Sequence, residues 1–549
     1  MNPANKSARY ILILIALSYF FFMFGNGIMS LTNPDEVFYA QIAKEMAQHA
    51  SWLTPYLFDA PNFEKPIFLY WLLRCGFILF GVSSFAARFF PAVFGVLGAI
   101  AAYFLGLLGF KDSRKAFFSA LVLISSVFYI GMARTVFTDM VFSVWILLAL
   151  LFFIWGYLRR QRKRLSLILF FACSAFAVLT KGPLGLIIPL LIVVLFLYFN
   201  REVKYLRCGY AIGGILIFLV IALPWYMCMF TKYGNAFIRE FFYNDHIRRL
   251  IEAEHKAHDT WYFYPFSIGG CMFPWSLFVP VSLWALAKRR LCQREPFYLF
   301  LACWIAAVFI IFQVAHSKLA SYILPMFPAL ALLIGDYVSD IMVRKKITSA
   351  TALFASTWCV LMLFLVALLV GAVIYPEYVP VKTPLYFFVS FVFCLLLIML
   401  RFILRPEFFK VFVLLVFFGF ALLLLVPFVK NDVEPNIASI ATGEYLLNKT
   451  RADSTLLCAK PFVRGVRYYT GRKVAVMGSN FFSPHPIPFL DSDEKVKDFL
   501  RSQSATYCVF SKSLIQDIER IAKQEFNVAV LKKIGNEYIV KIEPVRKMD

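Results

Sequence analysis

The sequence predicts a polytopic α-helical membrane protein that ends in a soluble α/β domain, and three observations carry that prediction. Of its 549 residues 61% are hydrophobic and only 16% charged, with a mean hydropathy of +0.74, whereas a soluble globule is about half apolar. Runs of about 20 apolar residues, the length that crosses a hydrocarbon core, recur as far as Val429. Beyond Val429 the hydropathy collapses.

The length criterion predicts about thirteen spans, over residues 10–30, 86–110, 115–132, 138–157, 165–180, 183–199, 208–230, 262–287, 297–315, 320–341, 350–374, 384–403 and 408–428. The first apolar run, Tyr10 to Met29, has a charged start and no small-residue cleavage site after it, so it reads as an uncleaved span. The apolar stretch from Ile67 to Gly81 is short and carries Arg74, which predicts a helix lying at the interface. Two outer loops then stand out, 31–85 and 231–261.

Charge supports this parity. A formal charge of +23 would suit a nucleic-acid partner if it formed a continuous basic surface. Here the Lys and Arg sit in short clusters between apolar runs, the arrangement that orients membrane helices, so no nucleic acid is expected. The alternate loops hold Lys111, Arg114 and Lys115; Arg159, Arg160, Arg162, Lys163 and Arg164; Arg201, Lys204 and Arg207; Lys288, Arg289, Arg290 and Arg294; Arg344, Lys345 and Lys346; and Arg401, Arg405 and Lys410. These loops are expected in the cytoplasm. The opposite loop from Thr231 to Thr260 is mixed, with Lys232, Arg239, Arg248, Arg249 and Lys256 against Glu240, Asp245, Glu252, Glu254 and Asp259. With a cytoplasmic N-terminus and thirteen spans, the C-terminus is expected on the opposite, periplasmic side.

Residues 1–430 form the expected membrane domain and 431–549 the soluble one. In the latter, 455–458, 474–476, 506–510, 528–531 and 538–542 read as strands and 513–524 as a helix. The eleven Cys are scattered, mostly in apolar runs, without a CxxC pair or zinc-type spacing. Apart from the tenth span, span interiors are poor in charge, unlike an ion or proton relay.

The first outer loop contains Asp35 and Glu36 before an amphipathic pattern (Tyr39, Ala40, Ile42, Ala43, Met46, Ala47). Two readings stay open for Asp35: a helix cap, favourable in itself, or a carboxylate placed at the membrane surface for chemistry. Phe63, Glu64, Lys65 and Pro66 follow, as a surface turn or as a phosphate-facing segment.

The segments PDEVFYAQIAKEMA (Pro34 to Ala47), FEKPIFLYW (Phe63 to Trp71), LTKGPLGLIIP (Leu179 to Pro189), DHIRRL (Asp245 to Leu250), FPWSLFVP (Phe273 to Pro280) and SKLASYILPMFPAL (Ser317 to Leu330) resemble the bacterial aminoarabinose lipid A transferases. Those enzymes are relatives of the protein O-mannosyltransferases and have the GT-C fold. The resemblance is colinear over nearly the whole chain. It implies a glycosyltransferase that takes a sugar from a polyprenyl (undecaprenyl) phosphate donor. The acceptor is lipid A or another lipid, glycan or protein on the periplasmic face.

Such chemistry needs cations for the departing phosphate, a carboxylate facing the acceptor and an apolar groove for the lipid. By resemblance Asp35 is the catalytic carboxylate with Glu36 beside it, and Asp139 matches a further family acid. Lys65, Arg249, Lys318 and Tyr322 are the expected phosphate ligands, joined by Lys181 of the TKGP segment. The plainer alternatives are snorkelling for Arg249 and Lys318, an anchor for Lys181, and a cap or an Arg134 partner for Asp139. Glu64 and His246 are a candidate pair for a divalent cation such as zinc or magnesium, although two protein ligands are too few for a closed structural zinc site. No other cofactor is expected.

The chain departs from the family at His316 and Ser317, where a Lys-Gly pair is expected, and at Asp245, where a Glu is expected. A lipid flippase is the alternative from another class, but paired repeats and midplane-broken helices are not evident in the sequence. A membrane anchor for an outer recognition domain would not need so many spans.

Overall fold

The computed structural model describes residues 3–205, 209–252, 256–292, 295–344, 347–374, 382–478, 487–522 and 525–545. The chain separates into two compact units. One comprises Met1–Asn26, Phe63–Leu69 and Arg88–Leu425, and the other Gly27–Asn62, Tyr70–Ala87 and Val426–Asp549.

The first unit is a bundle of apolar helices. Among the described residues of the whole chain ten helices are long and apolar enough to cross a membrane, or eleven with one bent pair counted as a span. The expectation of about thirteen differs at three places, each with a local cause. The span expected over 115–132 is two helices, Ser113–Ser125 and Val127–Ala133, bent by 68°. Ser126 between them is extended, with φ −68° and ψ 123°. The span expected over 262–287 is also two helices, Phe263–Cys271 and Phe278–Cys292, and between them lies Pro274, which has no backbone N–H to continue a helix. The two breaks meet, because the Val127 amide donates to the Phe273 carbonyl (2.9 Å) and the Trp275 indole donates to Ser125 Oγ (3.0 Å). Third, the helix Leu184–Phe199 has only 16 residues. At 1.5 Å per residue the helix Phe68–Phe80 is about 20 Å long, shorter than a bilayer core.

A lipid-facing surface can be read from the helix Gly209–Tyr233, where Ile212, Leu216 and Val220 repeat every four residues and are all more than half exposed. At the other extreme, the helices Ser113–Ser125 and Phe327–Arg344 approach closely. A Cβ on Gly335 would stand 2.3 Å from the Ser119 amide nitrogen, so a glycine is required for this contact. That approach seats an ion cluster. Asp336 and Asp340, one helical turn apart, face Lys115 (2.5 and 2.7 Å). Arg289 pairs with both aspartates, and the Tyr298 hydroxyl donates to Asp336 (3.0 Å).

The second unit contains the helix Asp35–Gln48, a small hairpin of β1 (Tyr56–Leu57) and β2 (Ala60–Pro61), and a six-stranded sheet. The sheet strands are β3 (Thr455–Ala459), β4 (Lys473–Met477), β5 (Phe489–Leu490), β6 (Thr506–Phe510), β7 (Phe526–Ile534) and β8 (Glu537–Pro544). They are ordered β5-β4-β3-β6-β8-β7. The first four run parallel, and β8 and β7 close the sheet antiparallel. Alternation explains the faces: Leu457, Ala475, Cys508, Val540 and Ile542 share one core with Ile518 and Ile521 of the helix Lys512–Ala522.

Candidate active site

In the first unit three lysines from separate connections are withdrawn from solvent, and each meets an aspartate. Lys65 is 8% exposed. Its ammonium donates to both carboxylate oxygens of Asp245 (2.7 and 2.6 Å) and to the Glu64 carbonyl (3.1 Å). Neighbouring aromatic packing fixes this turn, since Phe63 lies against Tyr233 and Phe237 and Phe68 against Trp145 and Phe176.

Those last contacts carry the second lysine. Trp145 lies on the helix Thr138–Leu158, which starts beside Asp139, and Phe176 lies on Lys163–Lys181. Asp139 and Lys181 are therefore roughly 8–9 Å along their helices from the Phe68 contact. They form an ion pair, Asp139 buried and Lys181 half-buried. Asp139 is not a cap, since Phe137 occupies the cap position. Nor does it pair with Arg134, whose guanidinium donates to the Phe21 and Phe24 carbonyls (3.3 and 2.8 Å). The Lys181 ammonium also sits 4.4 Å from the centre of the Tyr322 ring, a cation–π distance.

Tyr322 belongs to the helix Ala320–Met326, and Lys318 precedes it. Lys318 is 4% exposed and donates to Asp259 (2.7 Å). The same carboxylate meets the His316 ring 2.8 Å away, and His258 Nδ1 lies 3.3 Å from the Lys318 carbonyl. Hydrogen bonds from Lys318 and His316 hold the Asp259 carboxyl below the usual carboxylate range. Its depressed pKa keeps this contact charged from neutral pH down past the ordinary aspartate value of about 3.9.

The second unit holds the carboxylate pair. Asp35 is the first residue of its helix and is exposed. The cap position is Pro34, whose own side chain makes no cap bond. Asp35, an acid in the first turn, gains from the helix dipole. Glu36 is different: it is fully buried and accepts from the Thr32 amide (3.0 Å) and hydroxyl (2.9 Å). It holds the turn that precedes Asp35.

The side chains of Arg249 and His246 lie outside the described residues, and with them half of the expected cation pair. Among the described residues no group of three or more His, Cys, Asp or Glu is arranged to hold a metal ion. Near Glu64, the Glu240 carboxyl is pushed up by burial and by the neighbouring charges of Glu64 and Asp245, partly offset by a hydrogen bond from Asn244.

Two partner residues were not assigned from the sequence, Asp245 for Lys65 and Asp259 for Lys318. The signal was the mixed charge of the loop 231–261, whose acids here balance lysines on other loops.

The sequence profile of the dolichyl-phosphate-mannose-protein mannosyltransferase family matches residues 7–236. Among curated relatives, an undecaprenyl phosphate-alpha-4-amino-4-deoxy-L-arabinose arabinosyl transferase of Pectobacterium atrosepticum is 31% identical over 344 residues, 61% of this chain and 60% of that protein. A protein of the same description from Pseudomonas fluorescens, numbered 2, is 31% identical over 379 residues, 68% of this chain and 66% of that protein. The chain thus spans about three fifths to two thirds of the length of these relatives. The crystal structure of ArnT from Cupriavidus metallidurans bound to undecaprenyl phosphate superimposes with a TM-score of 0.79 at 21% identity, covering 97% of this chain and 98% of that one. In fold the chain is of the GT-C type, and in sequence it is similar to the aminoarabinose transferases and the protein mannosyltransferases.

Proposed function

We propose that this protein transfers a sugar, aminoarabinose-like or a hexose or hexosamine, from undecaprenyl phosphate to an acceptor on the periplasmic face of a bacterial inner membrane. The observation that carries the reading is the set of buried or half-buried lysines, Lys65, Lys181 and Lys318, each facing an aspartate. A buried ammonium needs an anion, and a phosphate can take the place that an aspartate holds. In the donor the phosphate is a diester with one negative charge. When the bond from the anomeric carbon to the phosphate oxygen breaks, the phosphate leaves as a monoester with up to two. Cations fixed beforehand therefore stabilise the leaving group more than the donor. Lys65, Lys318, Tyr322, Lys181 and Arg249 are assigned to that group.

On the opposite face of the sugar the acceptor oxygen forms the new bond, inverting the anomeric centre. Asp35 orients this oxygen and, for a hydroxyl acceptor, takes its proton. The acceptor is lipid A or another lipid, glycan or protein. A phosphate oxygen of lipid A is already ionised near neutral pH, so there Asp35 would orient rather than deprotonate. The expected outcome for Asp35→Asn is loss of transfer with donor binding retained. Mass spectrometry of lipid A and lipid extracts from cells carrying each form tests this, because a sugar-sized mass difference fixes acceptor and sugar class together. Full transfer by Asp35→Asn removes that residue from the chemistry.

The divalent-cation reading of Glu64 and His246 makes a separate prediction. Chelation lowers donor affinity, and added zinc or magnesium restores it. Affinity indifferent to chelation takes the metal out of the account.

A further inference from the structure

The segment that carries Asp35 is held on both sides by residues more than 400 positions later, all within the second unit. Before Asp35, the Ser30 amide donates to Glu434 (2.7 Å), and the Leu31 carbonyl accepts from the Tyr469 hydroxyl (3.2 Å). The Asn33 amide donates to the Ile437 carbonyl (2.7 Å). The Asn33 side chain donates to Ser439 Oγ (2.5 Å), which in turn donates to Glu537. After Asp35, the helix Asp35–Gln48 meets the helix Val463–Thr470. The Arg464 guanidinium lies 4.4 Å from the Phe38 ring centre, and Lys44 donates to the Tyr468 carbonyl (3.0 Å). Arg467 bridges Asp59 (2.7 Å) and Glu45 (3.5 Å).

Two features mark this as more than surface contact. Glu45 is fully buried and also accepts from Gln41 and from the Asp59 amide. A carboxylate so placed is costly unless a cation compensates it, and Arg467 is that cation. In addition, a Cβ on Gly465 would fall 2.0 Å from Asn33 Oδ1. The late helix approaches the Asn33 turn only because position 465 has no side chain.

We infer that the C-terminal domain is a bracket that sets the position of Asp35, with Asn33 and Arg467 as positioning residues. This rests on the proposed role of Asp35. Displacing a reacting group by about 1 Å costs on the order of 100-fold in rate, and a helix whose flanks are released can move that far. The donor-binding lysines lie outside this unit, so the bracket acts on turnover and not on donor affinity.

The test uses the full chain in nanodiscs, with a synthetic undecaprenyl-phosphate sugar as donor, lipid A as acceptor and undecaprenyl phosphate as the binding probe. Arg467→Ala and Gly465→Ala are expected to lower kcat about 10- to 100-fold. The probe's Kd and the number of probe sites per protein should stay unchanged. Loss of probe sites in proportion to kcat in both variants would mean unfolding and would overturn the inference. Wild-type kcat in both variants would also overturn it. Asp35→Asn is run in parallel: if it is inactive while both bracket variants are fully active, the catalytic reading stands and the bracket falls. If Asp35→Asn is itself fully active, both fall.

Discussion

The two ends of the helical bundle both bury charge, and they do it differently. At one end Asp336 and Asp340 of a single helix are shared among Lys115, Arg289 and Tyr298, which come from three other helices. Positive and negative groups balance, and the partners are held by helix packing as close as that at Gly335. At the other end Lys65, Lys181 and Lys318 stand at the ends of helices or in connections, and each meets an aspartate. Two of those aspartates, Asp245 and Asp259, come from the connection 231–261 and not from a membrane helix. The first arrangement suits a permanent clamp. The second suits anion exchange, because replacing one carboxylate by a phosphate preserves the charge balance and disturbs no helix.

The largest expected effect is in the clamp. Asp336→Ala leaves two half-buried cations sharing one carboxylate, which is expected to cost about 3 kcal/mol of stability, the low end for a buried pair. Donor affinity per folded molecule should be unchanged. Thermal unfolding in detergent, read beside donor binding, checks both halves. A variant that folds normally but loses donor would make the clamp part of the site and erase the contrast.

A smaller effect, opposite in kind, is expected at the exchangeable end. Asp245→Asn keeps the shape but removes the charge that competes for Lys65. Undecaprenyl phosphate is expected to bind a few-fold more tightly, as an isothermal titration would read. Weaker binding would mean that Asp245 helps to hold the donor instead of standing in for it.

The sequence and the structure agree best where a pattern is local. The strands Thr455–Ala459 and Thr506–Phe510 and the helix Lys512–Ala522 were legible because short apolar runs and helical periodicity are written over a few residues. The break at Ser126 was not, since a single extended residue does not lower the hydropathy of a window of about 20. Pro274 gave a signal, but averaged hydropathy ran through it. The candidate site was legible as motifs, and Lys65, Asp139, Lys181, Lys318 and Tyr322 all fall at buried or half-buried positions of one unit. Their partners were not legible. Lys65 and Asp245 are 180 positions apart, and only folding brings them together. In the sequence Glu36 stands beside Asp35 as a second acid of the expected site. The helix start separates them, turning one carboxylate outward and spending the other on Thr32.

The central claim is that the buried lysines hold the donor phosphate, and titrating undecaprenyl phosphate against the wild-type protein and Lys65→Ala tests it most directly. Loss of a charge-assisted hydrogen bond is worth about 1.5–3 kcal/mol, so Kd is expected to rise about 10- to 100-fold. The double variant Lys65→Ala/Asp245→Ala, which removes the stranded carboxylate, is expected to recover stability without recovering affinity. Wild-type affinity in a folded Lys65→Ala protein would contradict the account.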